Sequence, residues 1–369
     1  MFRRTLLILF TALLSAFATA DSGDIQLTAS AQPPHLVFAC ELDSIELQQL
    51  FADPAVVSDL VALHAGVALA LQDMSPQRAA VVRKLNQANI PVHAWLALSK
   101  SEGYYLNAGN ERQAAQRFAD FLKWTAENDL HWAAIGLDIE PNIQEFAALR
   151  DHKVRLVGTL IARYFEPGPV TRARESYAAL IRQMQSQGYL VETYQFPFIV
   201  DEREAHTTLL ERLFGIVDVR GNQEVLMLYT SFHHSMDSAL IWKYGPKAGL
   251  IAVGSTKSDP DGDKIFPPLS WDEFSRDVIV ARQFCPIVGV YSLEGCVRRG
   301  FLAKLRTMDW SRPVTIPAAA LEKANLMRSR IHMALWLGTN LPYIVLVVVV
   351  VLVWWMSRRR RRRRLAAGG

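Results

Sequence analysis

Cysteine is scarce, with only Cys40, Cys285 and Cys296 in 369 residues. That excludes a disulfide-stapled scaffold, and no cysteine or histidine spacing suits a zinc module, so neither a metal nor a cofactor is expected. Long polar tracts are also missing. Half the chain is hydrophobic and a tenth is aromatic, too much apolar surface for extended disorder. No glycine-rich phosphate turn follows the first strand-like segment, where Glu41-Leu42-Asp43-Ser44 stands instead. The fingerprint of an open, doubly wound dinucleotide fold is therefore absent.

Basic charge is lacking from the body of the chain. The net charge of +4 comes from the ends, where Arg3, Arg4 and the seven arginines at 358–364 lie. Without these nine, 31 basic residues face 36 acidic ones, a balance of −5. A mildly acidic body gives no reason to expect nucleic acid as a partner.

The ends suggest a compartment. In residues 1–20, two arginines precede an apolar run that closes on Ala18-Thr19-Ala20, the pattern of a secretory signal with a small-residue cleavage site. An uncleaved anchor is the alternative, although the apolar run is short for a span. Residues 333–356 carry no charge. At about 1.5 Å per residue they reach roughly 36 Å, enough to cross a hydrocarbon core of about 30 Å. Trp354 and Trp355 stand at the end of this stretch and the arginine run follows. Positive residues stay cytoplasmic, which places the body outside and the tail inside. The expected organisation is a signal peptide (1–20), a linker (21–34), a barrel (35–312), a juxtamembrane segment (313–332), a transmembrane helix (333–356) and an arginine-rich cytoplasmic tail (357–369). Export favours oxidised cysteines. Cys285 and Cys296 flank one extended segment and are too far apart to bond. Cys40 and Cys296 pair if the first and last strands are neighbours, leaving Cys285 free.

The body repeats a strand-then-helix rhythm eight times. Strands are expected at 35–41, 66–72, 92–99, 133–140, 190–196, 225–230, 250–255 and 286–294. Helices between them open on caps such as Ser75-Pro76 and Ser270-Trp271-Asp272-Glu273. The fourth connection is long and reads as an added helix at 142–165, a Pro167-Gly168-Pro169 break, and a second helix at 171–187. Strands alternating with helices imply parallel pairing, and eight units match a closed (β/α)8 TIM barrel.

In such a barrel the chemistry sits at the C-terminal ends of the strands. Alternate residues face opposite sides, so parity sorts the candidates. On the fourth strand Ile135, Leu137 and Ile139 face the helices; Ala134, Gly136, Asp138 and Glu140 face inward. On the third, His93, Trp95, Ala97 and Ser99 face inward, and on the second so does Gln72. Glu41 and Asp43 share a parity after the first strand. The fifth strand ends in Glu192-Thr193-Tyr194, the sixth in Tyr229 and the eighth in Tyr291-Ser292-Leu293-Glu294. Trp95, Tyr104, Tyr105, Tyr194, Tyr229 and Tyr291 are aromatic faces suited to sugar rings or to the core. His233-His234 diverge as neighbours and read as loop surface, and His93 reads as an internal, hydrogen-bonded histidine. The Asp259-Pro260-Asp261-Gly262-Asp263 loop lacks the closing glutamate of a calcium loop.

Asp138 and Glu140 form the centre. Two carboxylates at i and i+2 share a face, and close like charges raise the proton affinity of one of them. The result is an acid beside a carboxylate, the pairing that glycoside hydrolysis uses. Glu140, nearer the mouth, is the expected general acid; Asp138 orients and stabilises. Gly136-Leu137-Asp138-Ile139-Glu140 resembles the end of the fourth-strand motif of family 18 glycoside hydrolases, D-G-x-D-x-D-x-E. The resemblance implies substrate-assisted retention, in which the substrate's N-acetyl group attacks, the aspartate supports it and the glutamate protonates the leaving oxygen. The motif's first and middle aspartates fall on Ala133 and Gly136. Strand seven ends in Gly254-Ser255-Thr256-Lys257 without a carboxylate, so a further one has to be Glu41, Glu192 or Glu294.

The sequence therefore points to a membrane-anchored, extracytoplasmic glycoside hydrolase-like barrel acting on a saccharide. Catalysis falls to Glu140 and Asp138, and substrate binding to Glu41, Asp43, Gln72, Trp95, Ser99, Glu192, Tyr194, Tyr229, Tyr291 and Glu294. The rival readings are a non-catalytic barrel that binds glycan or a protein partner at the cell envelope, and a hydrolase of another bond using the same carboxylates.

Overall fold

The computed structural model describes residues 23–28, 30–142, 153–257 and 267–367. The expected signal segment and the Asp259–Asp263 loop lie outside them. Strands β2 (His35–Cys40), β3 (Gly66–Leu71), β4 (Val92–Leu96), β5 (Ala134–Asp138), β6 (Val191–Gln195), β7 (Gln223–Met227), β8 (Leu250–Gly254) and β9 (Ile287–Tyr291) close into a parallel barrel. The ring shuts between β9 and β2, with Phe38 opposite Val290. These are the eight strands that the sequence pattern predicts. All eight end earlier than expected, with Glu41, Gln72, Ser99, Glu140 and Glu294 lying past the last residue of their strands. The ladder gives way there to the loops of the mouth.

The parity argument holds through the wall. Val92, Ala94 and Leu96 on β4, and Ile135 and Leu137 on β5, join the apolar layer between sheet and helices, as does Ile139 just beyond. The stem of the barrel has a small core of its own, Val225, Leu250 and Ala252, capped by Tyr194 and Tyr229. Helix Glu111–Asn128 buries Ala114, Phe118, Phe121 and Trp124 against the sheet. Each buried phenyl ring contributes roughly 2 kcal/mol by leaving water. The long fourth connection forms helices Lys153–Phe165 and Gly168–Ser186, separated at Pro167. Arg78, fully buried, donates to the carbonyls of Ala70 (2.8 Å) and Leu42 (3.1 Å) and to Asp73 (2.9 Å), which ties together the chain ends beyond β2 and β3.

The lead-in and the segment after the barrel carry structure that periodicity does not reveal. Strand β1 (Ile25–Leu27) pairs antiparallel with β10 (Val314–Ile316), Ile25 opposite Ile316. Three-residue strands are too short to show an alternating pattern. The expected Cys40–Cys296 disulfide does not form, and all three cysteines are free and buried. The first and last barrel strands are neighbours, but Cys296 lies in the helical turn Leu293–Arg298. Its sulfur sits 3.5 Å from Thr256 Oγ1.

One helix, Ala318–Ala367, ends the described chain. Its first half packs on the barrel, with Leu321, Ala324 and Leu335 buried. Beyond it, residues 341–356 are exposed almost throughout, and the helix is long and apolar enough to cross a membrane. A latch holds the packed half. Asp201, fully buried, accepts from Arg328 Nε at 2.8 Å, from the Tyr244 hydroxyl and from His332 Nε2 at 3.1 Å. Arg328 Nη2 also donates to Glu204 at 2.6 Å. Removing the cation leaves a buried carboxylate short of its partner. Arg328→Leu is expected to lower stability by about 3 kcal/mol, read as a drop in the urea midpoint of the full chain in detergent. An unchanged midpoint would show that the latch is dispensable.

Candidate active site

Asp138 is the last residue of β5 and Glu140 lies two beyond it. What holds Glu140 is a short extension of the sheet. Leu106 bridges Ile139 in parallel, Leu106 N–H donates to the Asp138 carbonyl, and Glu140 N–H donates to the Leu106 carbonyl, both at 3.0 Å. Asp138 is buried and its Oδ1 has no hydrogen-bond partner among the described residues. Glu140 is half-buried.

Gly136 lies two residues below Asp138 on the same inner face. A Cβ there would stand 2.9 Å from Cε2 of Tyr194, so the absence of a side chain makes room for the tyrosine ring. Tyr194 donates to Glu192 Oε2 at 3.1 Å, and His93 Nδ1 lies 3.1 Å from both Glu192 oxygens. Glu192 and Tyr194 thus face the stem. A cavity of about 20 Å³, room for one water, lies between them and Tyr229 and Tyr291.

At the mouth, Glu41 is the most firmly held carboxylate. It accepts from the Tyr104 hydroxyl at 2.7 Å and from the Tyr291 hydroxyl, with Lys257 Nζ at 3.8 Å. Lys257 also lies 3.5 Å from Glu294, which is buried. Tyr229 and Tyr291 stack with centroids 5.6 Å apart.

Burial, followed by the charges of Glu140 and Glu41, pushes Asp138 well above the usual carboxylate range. Burial, followed by the charge of Glu41, pushes Glu140 up to about 8. Burial raises Glu294 too, with Lys257 opposing. Burial and the nearby carboxylates keep Tyr104, Tyr105, Tyr229 and Tyr291 protonated as donors. At neutral pH the mouth thus offers a proton-bearing Glu140 beside other carboxyl groups, the inventory that acid catalysis uses.

Several residues that the sequence nominates meet here. Glu41, Asp138, Glu140 and Tyr229 feel one another's charge, Tyr291 is bonded to Glu41, and Glu294 shares Lys257 with Glu41. Gln72 stands beside Tyr104. The others have different work. Asp43 caps helix Ser44–Ala52, accepting from the amides of Ile45 and Glu46. Ser99 caps the short turn Lys100–Glu102, its hydroxyl 2.7 Å from Glu102. Trp95 lies in the barrel beside Gly136, with its indole N–H unpartnered among the described residues. Lys257 is the residue that sequence reasoning passed over. Its signal was its position, a lysine two residues past the predicted seventh strand. Tyr104, which the sequence leaves open between a sugar face and the core, is buried and its hydroxyl donates to Glu41. Away from the mouth, Asp201, Glu204 and His332 bring potential ligand atoms within 4.8 Å of one another. The Arg328 guanidinium already sits against both carboxylates.

No family model matches the sequence, and no curated protein does. Among solved structures, the chain is similar to the PgaB (BpsB) glycoside hydrolase domain from Bordetella bronchiseptica, at 11% identity and a TM-score of 0.44, over 76% of this chain and 100% of that one. It is similar to a D-allulose 3-epimerase from Methylomonas sp., at 9% identity and a TM-score of 0.39, over 82% of this chain and 100% of that one. It is also similar to the endo-β1,6-glucanase BT3312, at 10% identity and a TM-score of 0.40, over 74% of this chain and 70% of that one.

The raised proton affinity of Glu140 has a consequence for stability. The unfolded chain releases this proton near 4.5 and the native state near 8. Between those values the native state binds more protons, so stability falls as pH rises through the window. Glu140→Gln is expected to flatten that slope in thermal melts of the full chain in detergent. Parallel slopes for the two proteins would contradict the assignment.

Proposed function

We propose that this chain is a membrane-anchored glycoside hydrolase-like enzyme that cleaves a saccharide outside the cytoplasm, its terminal helix crossing the bilayer with the arginine tail inside. The observation that carries the reading is the gathering of Glu140, Asp138 and Glu41 at one end of the barrel, with Glu140 protonated near neutrality. Glu140 gives its proton to the glycosidic oxygen as the bond to the anomeric carbon breaks. Asp138, buried on the same strand face two residues before Glu140, orients the substrate at that carbon. Water completes the cleavage, and its proton restores Glu140. Glu41, fixed by two tyrosine hydroxyls and close to Lys257, sets the field in which Glu140 holds its proton. The stacked rings of Tyr229 and Tyr291 offer an aromatic surface to the substrate.

A second reading has its own support. Ala133 and Gly136 stand where the resembled motif has aspartates, and a Cβ at Gly136 would meet the Tyr194 ring. Under that reading the same mouth binds glycan without cleaving it.

A panel of glycans incubated with the full chain separates the two. The hydrolase releases reducing ends, and Glu140→Gln lowers turnover by about a hundredfold or more while glycan binding persists. Turnover should fall as pH rises through about 8, where Glu140 loses its proton. Glu41→Gln removes the neighbouring negative charge and should move that falling limb to lower pH. Unchanged turnover in Glu140→Gln would remove it as the acid. Affinity for saccharide with no reducing ends from any member of the panel would establish the binding barrel.

A further inference from the structure

The terminal helix contains Pro342. Proline has no N–H, so the carbonyl four residues back loses its helical donor. That carbonyl belongs to Gly338, and the Tyr164 hydroxyl donates to it at 2.5 Å. Tyr164 is the penultimate residue of helix Lys153–Phe165. Gly338 itself permits close docking, since a Cβ there would stand 2.3 Å from Cδ2 of Leu209. Leu341, where the exposed apolar run begins, lies three residues on, about 5 Å along the axis.

Beside this contact, helix Lys153–Phe165 leaves two large apolar side chains in the open. Ile161 is 56% exposed and Phe165 is 66% exposed. They are four residues apart and so share a helix face. The Phe165 ring meets the Tyr164 ring edge-on at 4.7 Å, one ring away from the Gly338 carbonyl. Arg163 of the same helix turns to the protein and donates to the Leu213 carbonyl at 3.2 Å, and the exposed Glu166 follows Phe165.

We propose that helix Lys153–Phe165 lies in the membrane interface beside the terminal helix, with Ile161 and Phe165 entering the boundary between headgroups and acyl chains. The inference rests on the reading that the terminal helix crosses a membrane. Two large apolar side chains on one exposed helix face, beside the start of a span, suit a helix that sinks about 5–10 Å into the interface. The tyrosine bond fixes this helix at the level where the span starts. It also supplies the donor that a bare carbonyl needs at the edge of hydrocarbon.

Nitroxide labels on the full chain in phosphatidylcholine–phosphatidylglycerol nanodiscs test this. They are placed at Ile161→Cys, Phe165→Cys, Val349→Cys in the span and Ile45→Cys on an exposed barrel helix; the native cysteines are buried. Accessibility is read against dissolved oxygen and a water-soluble nickel chelate. The expected result is an oxygen-to-nickel ratio several-fold higher at 161 and 165 than at 45, and highest at 349. If 349 reads as lipid while 161 and 165 match 45, the interfacial helix is overturned and the span stands. If 161 and 165 are shielded from both reagents, protein covers them and the proposal is likewise overturned. If 349 is open to nickel, the span reading and this inference fall together.

Discussion

Asp138, Glu140 and Glu41 are pressed into the same water-poor end of a closed barrel, where each negative charge makes the next one harder to form. The rest of the mouth answers that conflict. Two tyrosine hydroxyls and Lys257 support Glu41. Glu140, with no side-chain bond among the described residues, is pushed by burial and by Glu41 to hold a proton at neutral pH. Lower down, His93 and Tyr194 bond a further buried carboxylate, Glu192. The fold makes this arrangement possible because parallel strands all end at one rim, so residues far apart in sequence reach it together.

Much of this was legible in the chain itself. All eight barrel strands follow from apolar runs spaced by helical patterns, and the inward parity of Asp138 follows from the alternation of Ile135, Leu137 and Ile139 around it. What could not be read was the distribution of hydrogen bonds within the rim. Asp43 has the parity of a site residue, yet an aspartate immediately before a helix satisfies free amides first. Ser99 meets the same fate at a shorter turn. The grip of Tyr104 on Glu41 joins residues 63 positions apart, and no local pattern encodes it. Oxidation was expected of Cys40 and Cys296 from compartment and strand adjacency, but the helical turn that carries Cys296 brings its sulfur to Thr256.

The C-terminal segment shows two physical regimes within one helix. Up to Thr339 its side chains and backbone bond to the barrel, through Asp201, Tyr164 and Thr207. Beyond that, residues 341–356 present an exposed and largely apolar surface, and the arginines at 358–364 follow. No loop intervenes, so the barrel and the exposed helical run are joined by continuous hydrogen-bonded backbone, interrupted only at the Pro342 position.

Closure of the ring also bears on how the molecule is made. β2 and its second neighbour, β9, are made some 250 residues apart, as the Glu41–Tyr291 contact records. The small outer sheet binds Gln26 to Thr315 across 289 positions. Until β9 is made the nascent sheet therefore presents two unsatisfied edges rich in valine, isoleucine and leucine, a hazard for aggregation. Shielding by a holdase chaperone would matter most during that interval, and the need would end once β9 closes the ring.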